Sequence, residues 1–304
     1  MESPRRGREA NRHTSICDDE YLSPCMIIEE TMNLTVLKDV PPWEWPSGAD
    51  RMILEILTNE GADSSNRLLA ADLAGDFSVV NDELIQALLS ILQNEEESEE
   101  LRGTAAISLG PALESADTDG FDDPDDPPIT EATFLRVQES LLRLYRDTAV
   151  PVSVRRKVLE ASVRAPQQWH HEAVRKAYAD DEEEWKLTAV TAMYCIGGFD
   201  DQILEALESD NRSIQYQAIC AAGSWGVEEA WPHVSEIISA PATEKQFLLA
   251  AIDAVASINP EEAGVLLTDL ADSCDEEIAE AAFEAIAMAE LLDNAEFDDG
   301  DDQW

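Results

Sequence analysis

The sequence is poor in basic residues. Its 304 residues include 20 lysines and arginines against 65 aspartates and glutamates, which gives a formal net charge of -45. A surface of this sign repels the phosphates of nucleic acids and anionic membranes, so the composition predicts neither as a partner. Only five of the basic residues are lysines. This bias is compatible with adaptation to a saline environment, and a basic protein partner stays open.

Export signals, long apolar runs and paired cysteines are also missing. The arginine-rich start, SPRRGREANRH, lacks the apolar segment of a signal peptide, and no stretch reaches the roughly 18 apolar residues of a membrane span. The cysteines are Cys17, Cys25, Cys195, Cys220 and Cys274, without CxxC spacing. An odd, scattered set is typical of a reducing compartment and of thiols packed in the core. We therefore expect a cytoplasmic protein.

Catalytic and metal-binding motifs are absent from the sequence as well. The four histidines have no zinc-type spacing, and nucleophile elbows, phosphate loops and dinucleotide fingerprints are missing. His170 and His171 follow Trp169 at a predicted helix start, where a half-exposed cap is the simplest interpretation. We expect no catalytic residue, no metal site and no cofactor, and hence a protein that is not an enzyme.

The sequence does contain an internal repeat. The stretch WKLTAVTAMYCIGG, which begins at Trp185, matches IQYQAICAAGSWG, which begins at Ile214, at an offset of 29 residues. Self-similarity at a period of roughly 20 to 50 residues indicates a stack of repeats, each of which packs against the next.

This repeat defines a template in which Trp185 and Ile214 are position 1. Position 1 then falls on Asn66, Leu101, Val154, Trp185, Ile214, Phe247 and Ile278. Positions 5 and 8 are mostly alanine. Because spacings of four and three share one helical face, positions 1, 5 and 8 are predicted to be buried together. We expect an all-α fold: a right-handed α-solenoid of about seven helix pairs, each an outer helix followed by an inner one, over residues 48–292.

The segments outside the repeats are predicted to be tails and a cap. Residues 1–31 and the acidic residues 293–304 are polar and are expected to be disordered. Residues 32–47 include PPWEWPSG. We expect its prolines to hold an extended segment, with Trp43 and Trp45 over the first helix pair as a cap for the open end of the array. An aromatic ligand site is an alternative.

An acidic insertion interrupts the array at residues 115–129, SADTDGFDDPDDPPI, whose aspartates and prolines disfavour regular structure. Asp117, Asp119 and Asp122 lie around Gly120, but the ligand order and terminal glutamate of an EF-hand are missing. We therefore expect a solvated loop and no calcium site. The predicted helix caps elsewhere are Ser47, Ser64 or Ser65, Asn81 and Thr130.

The repeats resemble HEAT repeats, in particular the short type named after phycobilisome lyases. The resemblance rests on LRGTAAISLG and WKLTAVTAMYCIG, with an acidic turn before the repeat and a basic residue at position 2: Arg67, Arg102, Arg155 and Lys186. It implies an armadillo-like helical fold over about residues 48–292 and says almost nothing about function. It also implies that the basic residue bonds an acidic turn residue, such as Asp181 or Asp210, in a ladder between repeats. Gln215, Leu248 and Ala279 depart from the pattern, so no ladder is expected in the last three repeats.

Basic residues cluster between Phe134 and Lys176, a stretch that we call the basic island. It holds nine lysines and arginines against four acidic residues, a local charge of +5. Two interpretations stay open. The island either offsets the acidic repeats beside it or docks an acidic or phosphorylated partner.

The sequence favours a non-enzymatic scaffold or adaptor that binds a protein or peptide partner along the groove of its inner helices. A lyase- or chaperone-like attachment factor is an alternative that the resemblance allows. A HEAT-like nucleic-acid-binding protein is a further alternative, and only the basic island could supply its basic groove.

The predicted partner-binding residues are Arg156, Tyr194 and Tyr216. They occupy positions 3 and 10, seven residues apart and next to the buried face, in three consecutive repeats; Val163 and Gly223 are the remaining position-10 residues there. Tyrosine and arginine combine a large contact area with a polar end, which suits them to interfaces. The alternative is that both tyrosines cover the adjoining helix.

Overall fold

The structure is a computed structural model that describes residues 34–121, 129–240 and 243–298, with backbone alone for residues 293–298. These residues form α-helices and two short 3-10 turns, η1 (Pro42–Glu44) and η2 (Glu228–Ala230), and they contain no β-strand. Two helices stand outside the repeats: α1 (Leu34–Asp39) and α6 (Gly110–Asp119).

The other helices form seven pairs within the described residues. The outer helices are α2 (Ala49–Thr58), α4 (Asp82–Gln93), α7 (Glu131–Arg146), α9 (Gln168–Tyr178), α11 (Asp200–Leu207), α13 (Trp231–Ser239) and α15 (Pro260–Ala271). The inner helices are α3 (Ser64–Leu73), α5 (Glu99–Ser108), α8 (Val152–Ser162), α10 (Glu183–Met193), α12 (Arg212–Trp225), α14 (Lys245–Ile258) and α16 (Glu276–Asp298). Each outer helix packs on the inner helix that follows it, and each inner helix packs on the next inner helix. The predicted all-α solenoid of stacked helix pairs is confirmed.

The alanine-rich face of the inner helices forms the core. Position 5 is 0% exposed in every pair, at Ala70, Ala105, Val158, Ala189, Ala218, Ala251 and Ala282. Position 8 is buried in every pair as well. Position 1 is buried in the five central pairs, whereas Asn66 is exposed and Ile278 is half-buried in the two end pairs. The register deduced from the repeat is therefore correct.

Position 10 was predicted to lie on the surface. In several repeats it is buried instead, because it faces the next inner helix. A Cβ built on Gly223 would come within 2.6 Å of the backbone of Ala254, which is position 8 of α14. Gly75 approaches Ser108 in the same way. Val163 is likewise buried. Position 10 is thus a site of close helix approach, and only Tyr194 there is exposed among the positions proposed for binding.

Two of the predicted helix caps are present. The side chain of Asn81 accepts hydrogen bonds from two backbone N–H groups at the start of α4, and the Thr130 hydroxyl accepts one at the start of α7. Thr130 also donates from its backbone N–H and its hydroxyl to Asp82, at 2.9 Å each. These bonds tie the start of α7 to the start of α4, which the acidic insertion separates in the chain.

The other two predicted caps are wrong. Gly48, with a φ of 93°, precedes α2 in place of Ser47. Asp63 precedes α3, and its carboxylate accepts the backbone N–H of Ser65. In both places the cap lies one residue away from the predicted serine, because serine propensity alone does not decide which residue turns into the helix.

The N-terminal segment caps the array by a different construction from the predicted one. Residues Pro42–Glu44 form a 3-10 turn and are not extended. Trp45 donates its indole N–H to the carbonyl oxygens of Leu37 and Val40, at 2.9 and 3.0 Å. Trp43 is 81% exposed and covers nothing. The short helix α1, which packs on α3, therefore supplies the apolar cover together with Trp45.

Helices extend into two segments that were predicted to be irregular. Helix α6 runs to Asp119, so the first third of the acidic insertion is helical, with Asp117 and Asp119 exposed. Helix α16 runs to Asp298, past the boundary predicted at 292. Residues 1–31, Asp122 and residues 299–304 lie outside the described residues. Every helix in the described part of the chain is too short or too polar to span a lipid bilayer.

Substitution of Ala221 by Asp tests the register. Ala221 is 0% exposed at position 8 of α12, so a carboxylate there would be buried without a partner. We expect a loss of roughly 3 kcal/mol or more in the free energy of unfolding, measured by urea denaturation. Ala287→Asp, an exposed alanine on α16, is the matched control and should cost under about 1 kcal/mol. Equal stability of the two variants would contradict the register.

Candidate functional site

Three of the four basic residues at position 2, Arg67, Arg102 and Arg155, bind backbone carbonyls at the ends of the preceding outer helices. Arg102 donates its Nε–H to the carbonyl oxygen of Leu92 at 3.0 Å, and Arg155 donates in the same way to Tyr145 at 2.8 Å. Gln215 makes the equivalent bond to Leu207 at 2.9 Å. Since the last carbonyls of a helix lack partners and carry partial negative charge, these side chains cap the outer helices.

Ion pairs between repeats do occur, but their partners differ from those expected. Arg67 binds Glu97 at 2.7 Å, and Lys186 binds Glu205 at 2.9 Å instead of Asp181 or Asp210. Glu97 and Glu205 belong to the turn or outer helix of the following repeat, where a long side chain reaches them.

In the last three repeats position 2 makes no ion pair, as expected, but ion pairs between repeats continue from another position. Arg212 binds Glu244 at 3.3 Å, and Lys245 binds Asp275 at 2.7 Å. Each cation lies two residues before position 1, and each carboxylate lies three residues before position 1 of the next repeat. The ladder therefore persists, with its cation moved from position 2 to the first residue of the inner helix.

His170 caps the start of α9, as expected, but it is buried and not half-exposed. Its side chain is 1% exposed. Nδ1 accepts the backbone N–H of Gln167 at 2.8 Å, so Nε2 carries the proton and donates to the Ser162 hydroxyl at 3.0 Å. Burial lowers the pKa of His170 from 6.5 to about 4. The exposed His171 stacks on Phe199 at 5.8 Å. Neither histidine is placed for proton transfer to a ligand.

The exposed side chains of the inner helices form a surface, which we call the inner surface, that runs from the N-terminal cap towards α14. A cleft of about 490 Å³ lies where α3, α5 and α8 meet, lined by Asp72, Gly103, Ile107, Arg156 and Lys157 among others. A second cleft of about 400 Å³ shares Asp72 and Ile107 with it and reaches Trp45. The two clefts therefore adjoin.

Arg156 lines the first cleft and is held by its neighbour on α10. It donates its Nε–H to the Thr188 hydroxyl at 3.2 Å, and that hydroxyl donates to Glu160 at 2.8 Å. Glu160 also binds Lys157, at 2.6 Å. This network fixes the guanidinium at the wall of the cleft, so it presents an ordered cation there.

Tyr194 and Trp225 lie beside each other at the ends of α10 and α12. They are 49% and 46% exposed. Trp225 donates its indole N–H to the carbonyl oxygen of Met193 at 2.7 Å, and its ring lies against Gly197. Ser224 donates to the carbonyl oxygen of Tyr194 at 2.9 Å. The indole of Trp225 is thus held by its N–H, and both aromatic rings are about half exposed to solvent.

Tyr216 is placed differently from Tyr194. It is half-buried, and its ring meets Phe247 edge-on at 5.8 Å. Burial raises the pKa of both tyrosines, and the carboxylate of Asp253 raises each of them further. Tyr216 covers the adjoining helix, which is the alternative interpretation of its role, while Tyr194 remains available on the surface.

The thiols of Cys195 and Cys220 are half-buried on the inner helices, and Cys274 is exposed, which corrects the expectation of core cysteines. Cys17 and Cys25 lie outside the described residues. Burial raises the pKa of both Cys195 and Cys220, so these thiols are protonated and weakly nucleophilic at neutral pH. Among the described side chains, no group of three His, Cys, Asp or Glu is placed to hold a metal ion.

The basic island divides between two faces of the array. On the inner helix α8, Lys157 pairs with Glu160, and in the turn after α8, Arg164 pairs with Glu114 of α6. On the outer helices α7 and α9, Arg143, Arg146 and Lys176 are exposed, and no carboxylate pairs with them in the described residues. Only part of the island therefore offsets acidic neighbours.

The sequence analysis missed Trp225 and the clefts. Trp225 follows position 10 at the end of α12, directly before Gly226, which has a φ of 58°. The residues at this end of α12 are otherwise small, so the large aromatic side chain among them could have indicated a surface site. The first cleft depends on Gly103, whose missing side chain leaves room next to Lys157. Gly103 and Lys157 belong to different repeats, so no pattern within one repeat reveals their contact.

No family model matches the sequence, and no curated protein matches it. Among solved structures, the chain is similar to human deoxyhypusine hydroxylase in complex with glycerol (16% identity, 89% of this chain and 92% of that chain, TM-score 0.38). It is also similar to the complex of CpcE and CpcF of phycocyanin lyase from Nostoc (18%, 84% and 98%, 0.43) and to a designed armadillo repeat protein (15%, 78% and 98%, 0.32). These TM-scores lie below 0.5, so the HEAT-like architecture rests on the helix pairs themselves.

Substitution of His170 by Asn tests its buried, neutral state. With a pKa of about 4 in the folded protein and 6.5 for the ordinary side chain, only the unfolded state takes up the proton as the pH falls from about 6.5 to 4. The wild type should therefore lose about 1.4 kcal/mol between pH 7.5 and 5.5 that His170→Asn does not lose. Urea denaturation at the two pH values measures this difference. His171→Asn, the exposed neighbour, should keep the wild-type pH dependence; a His170→Asn variant with that same dependence would contradict the assignment.

Proposed function

We propose that the chain is a non-enzymatic scaffold that binds a protein partner along its inner surface. The observation that carries the proposal is the pair Tyr194 and Trp225, which are half-exposed at the ends of consecutive inner helices, with the indole of Trp225 held by its hydrogen bond to Met193. An ordered aromatic ring loses little conformational entropy when a partner covers it, and tyrosine and tryptophan are enriched among the residues that dominate binding energies.

The two adjoining clefts extend this surface towards the N-terminal end of the array. The first is lined by Arg156, which is held by Thr188, and by Lys157, together with the carboxylates of Asp72, Glu99 and Glu100. A peptide segment that lies along the inner helices would place an apolar or aromatic side chain on Tyr194 and Trp225 and a carboxylate near Arg156. We therefore propose a protein partner with an acidic residue beside an apolar one, which matches the few positive sites of a chain with a net charge of -45.

Alanine substitutions at Tyr194 and Arg156 test this function. Capture with the immobilised full-length protein, followed by mass spectrometry, identifies the partner, and titration calorimetry with the purified partner measures its affinity. We expect Tyr194→Ala and Arg156→Ala each to raise Kd about tenfold or more, roughly 1.4 kcal/mol. Both side chains are partly exposed, so the melting temperature should stay close to that of the wild type.

Trp43→Ala is the matched control. Trp43 is an exposed aromatic residue outside the inner surface, so its loss should leave Kd unchanged. Adding Tyr216→Ala to the two variants completes the predicted set of three residues, and this triple variant should abolish capture while keeping helical circular dichroism. Undiminished affinity of the triple variant, or an equal loss in Trp43→Ala, would rule out the inner surface as the binding site.

A further inference from the structure

The last inner helix exposes an apolar position that every earlier inner helix buries. Position 6 is 0% exposed in the first six pairs, at Ala71, Ala106, Leu159, Val190, Ile219 and Ile252. In the seventh pair the residue is Phe283, the largest side chain of the series, and it is 60% exposed. Position 6 of α16 is therefore apolar, as a core residue is, but it is exposed to solvent.

The glycines of the array show what normally covers position 6. Gly223, at position 10, approaches the following inner helix at Ala254, and Gly226, at position 13, approaches it at Ser257. Position 6 lies between positions 10 and 13 around the helix, at 100° per residue, so it also faces the following inner helix. In α16 that helix is absent from the described chain.

Helix α16 retains the other features of a helix-packing face. Ala287, at position 10, is small, as a close helix approach requires, and it is exposed. Leu291, one turn further on, is 67% exposed. Phe283, Ala287 and Leu291 are spaced four residues apart, so they form one apolar stripe. We call this stripe, with Glu280 and Glu284 beside it, the end face.

Charge complementarity indicates which kind of partner would bind the end face. After Lys245 the sequence contains 17 acidic residues and no lysine, arginine or histidine. Glu280 and Glu284 have no cationic partner among the described residues. A second copy of the chain would bring a like-charged face against this one, and residues 299–304 carry three aspartates. Repulsion disfavours both, whereas lysines and arginines would pair with the carboxylates.

We propose that the end face is a second docking site, independent of the inner surface, and that it binds an amphipathic, basic α-helix of a partner protein. The partner helix takes the place of the next inner helix. Its apolar side packs on Phe283, Ala287 and Leu291, and its lysines or arginines pair with Glu280 and Glu284. This is the helix-in-groove mode of recognition, with apolar anchors at helical spacing.

A defined peptide tests the proposal on the full-length protein. The probe is an amphipathic peptide of about 18 residues, five helical turns, with leucines on one side and lysines on the other. The control peptide has the same composition in an order that spreads the leucines around the helix. Fluorescence anisotropy of the labelled peptides gives Kd, and we expect the amphipathic peptide to bind at least tenfold more tightly than the control.

Substitution of Phe283 by Asp distinguishes apolar docking of the peptide from simple charge attraction. The substitution adds a negative charge, so attraction alone would tighten binding of a cationic peptide, whereas loss of the apolar anchor should weaken it at least tenfold. Leu135→Asp, on the exposed side of the outer helix α7, is the matched control and should leave Kd unchanged within about twofold. Phe283→Ser is the second variant if Phe283→Asp lowers the helical circular dichroism.

Three results would overturn the proposal. The first is equal binding of both peptides, or unchanged binding by both Phe283 variants. The second is a wild-type dimer in sedimentation that Phe283→Asp converts to a monomer, because the occupant is then a second copy. The third is a gain of tenfold or more in peptide affinity on removal of residues 299–304, because the chain's own tail then covers the face. Capture of the partner by the inner surface should be unchanged in Phe283→Asp, so the experiments test the two proposed sites independently.

Discussion

Close contact between consecutive inner helices is the interaction on which the rest of the structure depends. Position 5 is inaccessible to solvent in all seven pairs of the described chain, and it is alanine in six of them. At Gly223 and Ala254, α12 and α14 approach so closely that a single methyl group would meet backbone atoms. Because interiors are packed as densely as crystals, such contacts leave one register open and hold the inner helices in a fixed stack. The exposed positions of those helices therefore form one continuous surface.

The scarcity of cations shapes how this chain uses them. Arg102 is 3% exposed and binds a backbone carbonyl, so one of only 20 basic residues serves inside the array, while the acidic residues of the described segments lie mostly outside. A helix end that is buried needs a donor, and an unsatisfied carbonyl costs about 1 to 3 kcal/mol. Repulsion between surface carboxylates is screened beyond about 8 to 10 Å at physiological salt, and an elongated array spreads them further. The chain therefore tolerates the repulsion between its surface carboxylates. The few cations that remain exposed differ in sign from most of the charged groups around them.

How far the sequence predicts this protein depends on how local each feature is. The buried positions 5 and 8 and the caps at Asn81 and Thr130 follow from helical spacing and side-chain chemistry within one repeat. Burial of Val163 and Gly223 depends on how close the next repeat comes, so the same spacing rule placed them wrongly on the surface. Of the predicted site residues, Arg156 and Tyr194 do reach the inner surface, whereas Tyr216 packs on Phe247 in the next repeat, a contact that no pattern inside one repeat encodes.

The same reasoning distinguishes the two surfaces proposed for binding. The inner surface is repeated along the array, so its specificity must come from individual departures such as Arg156, Tyr194 and Trp225. In the end face, no helix of the described residues covers Phe283, which would be an ordinary core residue if another pair were stacked on it. Terminal repeats of solenoids are normally made polar on the outer side for solubility. Here the N-terminal end is covered by α1 and Trp45 while the C-terminal end keeps an apolar stripe among carboxylates, and that asymmetry is what favours a basic partner at the C-terminal end only.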